Sequence, residues 1–143
     1  FDYAIRKYPE FDLFVDGKRK IYEDEFTVEN IIDYINDFCG TFRSQGGELN
    51  TEVGLIDDAT PIVEDFMLRK SPNYINDMKS IPGTEFYIEV MKNIIEKGIN
   101  YLFSETERLS TIIMEKSTSQ SVRDKLKIKY NILSLFISYI ETD

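Results

Sequence analysis

The chain has 143 residues, of which 42% are hydrophobic and 13% aromatic, and its formal net charge is −9 at pH 7. This length fits one domain, or one small domain with part of another, and the apolar content is enough for a core and argues against disorder. Because phosphate backbones and anionic lipids repel an acidic chain, we expect no nucleic-acid partner and no membrane partner.

Two scarce residue types narrow the chemistry. The chain has no histidine and a single cysteine, Cys39. The lack of histidine removes the commonest general base and most zinc sites, and one cysteine cannot form an internal disulfide. We therefore expect no catalytic residue, no metal and no cofactor in this chain. Because it begins with Phe1 instead of Met, we also expect that it was cut from something longer.

The first predicted elements are, in chain order, a strand, a tight turn, a strand and a helix. β-Prone residues run from Phe11 to Val15 and from Arg19 to Glu23, and the Asp16-Gly17 pair between them is typical of a hairpin turn. Thr27 is suited to cap the next helix, predicted from Val28 to Phe38 by apolar residues at helical spacing.

Helices fill the rest of the chain, after a glycine-containing linker predicted over residues 41–60. Within the last helix, Lys125–Tyr130 alternates like a strand, but the longer 3.6-residue repeat around it favours a helix. The predicted helix starts are Pro61, Ser71-Pro72, Thr84, the capping box Ser104–Glu107 and the polar stretch before Val122. We therefore expect a mainly α fold, with a five-helix bundle over residues 61–143 after the strand–strand–helix portion over residues 1–40.

The chain resembles one known family along nearly its whole length. The stretch Tyr3–Pro9 and the hairpin look like the end of a thioredoxin domain, and residues 40–54 look like the connector of plant and protist protein disulfide isomerases. From Pro61 to about Phe136 the chain is similar to the C-terminal (D) domain of ERp29. The most specific stretches are Glu96-Lys97-Gly98, Ser104–Leu109 and Lys129–Phe136.

The resemblance implies residence in the endoplasmic reticulum lumen and work on unfolded or disulfide-containing client proteins. The chain would be a C-terminal fragment of a protein disulfide isomerase whose catalytic Cys-x-x-Cys lies upstream, and its helical domain would be non-catalytic and bind or dock clients. Two alternatives stay open: a redox-inactive chaperone or escort like ERp29, and an acidic helical adaptor. The chain departs from the family pattern at Glu10, where threonine is usual, and at its end, Glu141-Thr142-Asp143, which is not a KDEL-type signal.

The resemblance also points to candidate binding residues. Tyr8 would precede a cis-proline, Pro9, at a bend whose backbone can pair with a client peptide. Tyr101-Leu102-Phe103 is predicted as an apolar loop between two helices, which could either hold a client segment or pack as a hydrophobic staple. We also expect the edge of the Phe11–Val15 strand to pair with another chain, or the unit to lie on its own bundle.

Other residues are given structural interpretations. Cys39 is predicted at a helix C-terminus beside Asp37, where a thiolate is disfavoured, so we expect it to be unreactive. The acidic runs Glu23–Glu25 and Asp57-Asp58 lack the ligand spacing of a tight calcium site, so we expect solvated loops.

Overall fold

The computed structural model describes residues 8–140, which form two strands and six α-helices. They divide into two compact units: the N-terminal unit, which ends at Asn50, and the helical unit, which begins at Thr51. The Tyr3–Lys7 part of the family resemblance and the terminal Glu141-Thr142-Asp143 lie outside the described residues. The predicted mainly α fold, with a hairpin before the helices, is confirmed.

The N-terminal unit begins with the predicted hairpin. Strand β1 (Asp12–Val15) pairs antiparallel with β2 (Lys18–Ile21). Asp16 and Gly17 between them have φ values of 50° and 74°. Two consecutive positive φ angles define the turn whose twist matches that of the paired strands, which is why a short polar residue and a glycine occupy it. Among the described residues, β1 has a strand neighbour on one side alone, β2.

Helix α1 (Val28–Cys39) follows with the predicted ends. The Thr27 hydroxyl accepts a hydrogen bond from the backbone N–H of Asn30 at 3.2 Å, and Gly40 ends the helix in the left-handed conformation. Tyr22 is the one buried apolar residue of this unit among those described, and its ring meets Phe11, Phe26 and Tyr34 edge-on. No residue of α1 is fully buried, so this unit has a thin core.

Residues 41–60, which the sequence predicts as a linker, are divided between the two units. Arg43 and Leu49 form an isolated bridge, and the Asn36 side chain accepts from the Arg43 N–H at 3.0 Å and donates to its carbonyl at 2.8 Å. On the helical side, a short 3₁₀ helix (Asp57–Ala59) leads directly into the first helix of that unit.

The helical unit contains five α-helices, the number that the sequence predicts. Lys125–Tyr130 lies inside the last of them, so the helical interpretation of that alternating stretch is confirmed. The fully buried side chains of the core include Phe66, Tyr87 and Phe136, and the Phe136 ring packs against the other two. The helices are α2 (Thr60–Arg69), α3 (Asn73–Lys79), α4 (Glu85–Lys97), α5 (Asn100–Met114) and α6 (Gln120–Ser138).

The predicted helix start at Ser104 is wrong. Helix α5 begins at Asn100, and the Ser104 hydroxyl donates to the carbonyl of Tyr101 at 3.1 Å instead of capping a terminus. The reason is burial: Leu102 and Leu109 are both fully buried, and a helix that presents both to the core must begin before Leu102. Core packing therefore overrides a local capping pattern.

Thr84 also differs from its predicted role. It precedes α4 as expected, but its side chain makes no capping bond to that helix. Its buried hydroxyl lies 2.8 Å from both the Met78 and the Ile81 carbonyl oxygens, to which it can donate, and so satisfies the end of α3 instead.

Candidate functional site

Tyr8 and Pro9, the predicted peptide-binding pair, open the described part of the chain. The peptide bond between them is cis, and the Tyr8 side chain is 86% exposed. The contact with a client peptide that the resemblance implies for this pair stays a prediction.

The predicted apolar loop at Tyr101-Leu102-Phe103 is instead the first turn of α5. Successive residues of a helix point about 100° apart, so the three side chains separate. Leu102 is fully buried, Phe103 is 49% exposed, and Tyr101 is half-buried. Ser104 does not cap a helix, so the staple that depended on that cap is also wrong. Whether any of the three contacts a client stays a prediction.

Tyr101 belongs to a surface that joins three helices, which we call the aromatic–cation face. Tyr101, Glu105 and Arg108 have the spacing i, i+4, i+7 and therefore share one side of α5. The ammonium of Lys97, at the end of α4, lies 5.6 Å from the centroid of the Tyr101 ring. The members of the face are Phe86, Lys97, Tyr101, Glu105, Arg108 and Lys129.

Lys129 and Phe86 form a second cation–ring pair of this face. The Lys129 ammonium, from α6, lies 4.9 Å from the centroid of the Phe86 ring, from α4. Both rings are half-buried and both lysines are exposed, so each lysine covers the solvent side of an aromatic ring whose other side packs on the core. A cation over an aromatic ring is held by the electron density of the ring face.

A carboxylate lies at the centre of the face. Glu105 accepts hydrogen bonds from Arg108 Nε at 2.9 Å and Nη2 at 2.6 Å. The hydrogen bonds from Arg108 lower the pKa of Glu105, partial burial opposes that change, and the nearby charges of Arg108, Lys129 and Lys97 lower it further. Residues from three helices thus act on one carboxyl group.

The pKa of Tyr101, unlike that of Glu105, is raised overall. Burial raises the pKa of its hydroxyl group, the charges of Glu105 and Glu89 raise it further, and Arg108 lowers it. The hydroxyl group therefore stays protonated at neutral pH and can donate a hydrogen bond.

The side chains of this face are of types that can bind a ligand. Its side chains offer aromatic surface, cations and one paired carboxylate, but no nucleophile next to a base. Over residues 8–140, no group of three or more His, Cys, Asp and Glu residues is placed to hold a metal ion. In the same range, no helix is both long and apolar enough to cross a bilayer.

Sequence reasoning missed this face as a unit, although its four charged members stand in the three stretches on which the ERp29 resemblance depends. Lys97 lies in Glu96-Lys97-Gly98, Glu105 and Arg108 lie in Ser104–Leu109, and Lys129 begins the third stretch. The i, i+4, i+7 spacing of Tyr101, Glu105 and Arg108 was available as a signal. It was obscured because the helix was predicted to begin at Ser104, after Tyr101.

A second apolar surface lies at another part of the helical unit. A groove of about 270 Å³ is lined by Met67, Leu68, Lys70, Ile99, Tyr139 and Ile140. Leu68 is 59% exposed. Phe103 follows Ile99 by four residues, so it lies on the same side of α5 as this groove.

The remaining candidates lie in ordinary surroundings. Cys39 is the last residue of α1 and is exposed. Asp24 and Glu25 border a shallow surface depression with Asp33 and Asp37. Asp57 and Asp58 are exposed in the first turn of the 3₁₀ helix.

Comparison with known proteins places the five-helix domain in a family. The chain belongs to the ERp29 C-terminal domain family, because the model of that family, described as "Endoplasmic reticulum protein ERp29, C-terminal domain", matches residues 57–136. This confirms the resemblance seen in the sequence. No solved structure matches the chain significantly.

The curated relatives are protein disulfide isomerases. The chain is 31% identical to "Protein disulfide isomerase-like 2-1" of Oryza sativa subsp. japonica, over 95% of this chain and 41% of that protein. It is 27% identical to "Probable protein disulfide-isomerase A6" of Medicago sativa, over 94% of this chain and 40% of the relative. With "Protein disulfide-isomerase 1" of Dictyostelium discoideum it shares 27% identity, over 95% of this chain and 41% of the relative. The chain thus spans well under half the length of the relatives it matches.

Proposed function

We propose that this chain is part of an endoplasmic reticulum protein disulfide isomerase, and that its helical unit is a non-catalytic module that binds or docks client proteins. The clients would be unfolded or disulfide-containing polypeptides in the endoplasmic reticulum lumen. The family of the helical domain and the names of the relatives support this assignment.

The aromatic–cation face is the observation that carries the binding role. It places two half-buried rings, Phe86 and Tyr101, under exposed lysines on a surface shared by α4, α5 and α6. Half-buried aromatic rings beside exposed basic side chains, on a rigid scaffold, suit the recognition of extended polypeptide. The groove beside Leu68 and Ile99 offers a second apolar contact area.

Thiol–disulfide exchange would require residues other than those of this chain. The sequence contains one cysteine, and exchange through a Cys-x-x-Cys motif requires two. We propose that the longer protein supplies that motif. The rival proposal, a redox-inactive escort like ERp29, agrees equally well with the family to which residues 57–136 belong. The sequence of the longer protein decides between them, since a Cys-x-x-Cys motif is needed for the isomerase alone.

The N-terminal unit would serve as the end of a thioredoxin-like domain. In that role the exposed Tyr8 would contact client backbone at the cis-proline bend. The Phe11–Val15 edge, which pairs with β2 on one side alone among the described residues, would pair with a further strand or with a second copy of the chain.

A binding measurement tests the client-binding role. The whole chain would be titrated against a fluorescent, permanently unfolded polypeptide of near-zero net charge. We expect Tyr101→Ala to weaken binding by roughly three- to tenfold, because it removes a half-buried aromatic ring of the face. Tyr74→Ala, at a half-buried tyrosine of α3, is the matched control and should leave binding within about twofold of the parent chain. The proposal fails if the parent chain does not bind, or if both variants bind as it does.

A further inference from the structure

We propose that the aromatic–cation face selects acidic segments of its protein partners. Lys97 and Lys129 would receive carboxylate groups, and the Tyr101 and Phe86 rings beneath them would receive neighbouring apolar side chains. This inference rests on the proposed client-binding function and specifies the chemistry of the segment that binds.

The two lysines are placed to receive anions. Among the described residues, neither the Lys97 nor the Lys129 ammonium forms an ion pair with a carboxylate, and each lies over an aromatic ring. An ammonium has three donors, and a ring face occupies one side of it, so donors remain on the solvent side. A carboxylate arriving there would gain a hydrogen bond without breaking an existing salt bridge.

Arg108 differs from the lysines in this respect. Its guanidinium holds Glu105 in a two-point contact, so that pair already satisfies its own charges. The six members of the face include three cations, Lys97, Arg108 and Lys129, and one acid, Glu105. One further acid, Glu89 of α4, acts electrostatically on Tyr101 from outside the face. The face therefore has an excess of positive charge in a chain whose net charge is −9.

The contrast between the positive face and the negative chain indicates the class of partner. A net charge of −9 repels extended polyanions such as nucleic acid and anionic membrane at long range. A short acidic segment can still meet the local positive charge within about one Debye length, about 8 Å at physiological salt. The half-buried rings beside the lysines match apolar side chains, which a protein segment supplies along with its carboxylates.

The experiment compares two labelled peptides by fluorescence anisotropy against the whole chain. One peptide is rich in Glu and Leu, and the other has the same sequence with every Glu replaced by Gln. We expect the acidic peptide to bind at least about fivefold more tightly at low salt, and this preference to shrink as salt is added.

Two double variants with equal loss of charge separate the face from the overall charge. Lys97→Gln with Lys129→Gln should abolish the preference for the acidic peptide. The control is Lys92→Gln with Lys125→Gln, which changes one exposed lysine on each of the same two helices. Neither of these lysines lies over an aromatic ring among the described residues, so this variant should retain most of the preference for the acidic peptide.

The outcomes distinguish this inference from the proposed function. Equal binding of both peptides, or equal losses in both double variants, overturns the inference while client binding stands. Failure of both peptides and of the near-neutral unfolded polypeptide to bind overturns the proposed function as well. The inference is also overturned if the chain binds phosphatidylserine vesicles more tightly than the acidic peptide and this binding depends on Lys97 and Lys129.

Discussion

The hydroxyl group of Tyr87 accepts a hydrogen bond from the backbone N–H of Ile56 at 3.1 Å. The same oxygen lies 3.3 Å from the carbonyl oxygen of Gly54, to which it donates. One side chain of α4 thus satisfies two backbone groups of the segment that leads into the helices. The Asn131 side chain, from α6, satisfies a third backbone group of this segment by donating to the Val53 carbonyl at 3.0 Å. Because Tyr87 and Asn131 are both buried, these bonds form away from competing water.

Removing the Tyr87 hydroxyl group should destabilise the helical unit. Tyr87→Phe leaves the Ile56 N–H without its partner, and we expect a loss of about 1–2 kcal/mol in the free energy of unfolding. Urea denaturation followed by circular dichroism measures it. Tyr74→Phe is the control, because the Tyr74 hydroxyl group accepts its hydrogen bond from Arg69 at an exposed site. The free energy of unfolding of this variant should fall by less than about 0.5 kcal/mol. Equal losses in the two variants would contradict the buried role of Tyr87.

Gly54 should tolerate substitution less well than another glycine of the same unit. Its φ is +87°, and an added Cβ would lie 2.4 Å from Cγ2 of Ile128. We expect Gly54→Ala to cost about 2–4 kcal/mol, the sum of backbone strain and overpacking.

Gly83 is the matched control for this substitution. It has a φ of +80°, but its added Cβ would make an ordinary contact of 3.7 Å with Ile56. Gly83→Ala should therefore cost about 1 kcal/mol, from strain alone. Thermal and urea unfolding of both variants measure the difference. Equal costs would show that a collision with Ile128 does not destabilise Gly54→Ala.

Arg108→Gln should raise the pKa of Glu105 toward the ordinary glutamate value, because the hydrogen bonds from Arg108 are the largest cause of its lowering. Carboxyl ¹³C NMR titration measures this pKa. Lys129→Gln and Lys97→Gln should raise it by smaller amounts, and Lys125→Gln should leave it unchanged. If Lys129→Gln and Lys97→Gln also leave it unchanged, the three helices do not share one face in solution.

The sign of the pH effect follows from the lowered pKa. Glu105 titrates at lower pH in the folded chain than in the unfolded chain, so its ionised form favours folding. That contribution is present above the ordinary glutamate pKa of about 4.3 and is lost as pH falls through the lowered value. The stability difference between the parent chain and Arg108→Gln should accordingly narrow with acidification over this range.

Thr27→Ala should weaken α1. The Thr27 hydroxyl group accepts from the Asn30 N–H, and loss of such a cap typically costs about 1 kcal/mol. Since no residue of α1 is fully buried, tertiary packing offers little compensation, and amide hydrogen exchange across the helix should quicken. Thr27→Ser keeps the hydroxyl oxygen, so the amide hydrogens of α1 should exchange nearly as slowly as in the parent chain. Unchanged exchange in Thr27→Ala would show that the cap contributes nothing.

The isolated chain should not catalyse thiol–disulfide exchange. An insulin reduction assay with dithiothreitol should give the uncatalysed rate, because Cys39 has no second cysteine in the chain. Cys39→Ser should give the same rate. Turnover above background that disappears in Cys39→Ser would assign chemistry to this chain and contradict the non-catalytic proposal.

The elements that the sequence predicted well are those whose information is local. Asp16-Gly17 specifies its turn through the positive φ angles it accepts, and Thr27 specifies a helix start through one hydroxyl oxygen. The 3.6-residue repeat identified α6 despite the alternation at Lys125–Tyr130, because nineteen helical residues outweigh six.

The start of α5 could not be predicted in this way. Ser104–Glu107 has the pattern of a capping box, and local reasoning has no means to reject it. What decides the start is the core, which buries Leu102 and Leu109 together and so extends the helix back to Asn100. That shift turns Tyr101 from a loop residue into the first member of a helical stripe with Glu105 and Arg108.

By itself the sequence determined the hairpin, the helical class, the absence of a cysteine pair and the family, because each depends on neighbouring residues or on residue types. The tertiary structure alone decided that Lys97, Glu105 and Lys129 meet on one face, since they come from three helices and are separated by up to 32 positions along the chain. The physical reason is packing: burial of Leu102, Leu109 and Leu133 fixes how α5 and α6 rotate, and that rotation determines which charged side chains share a surface.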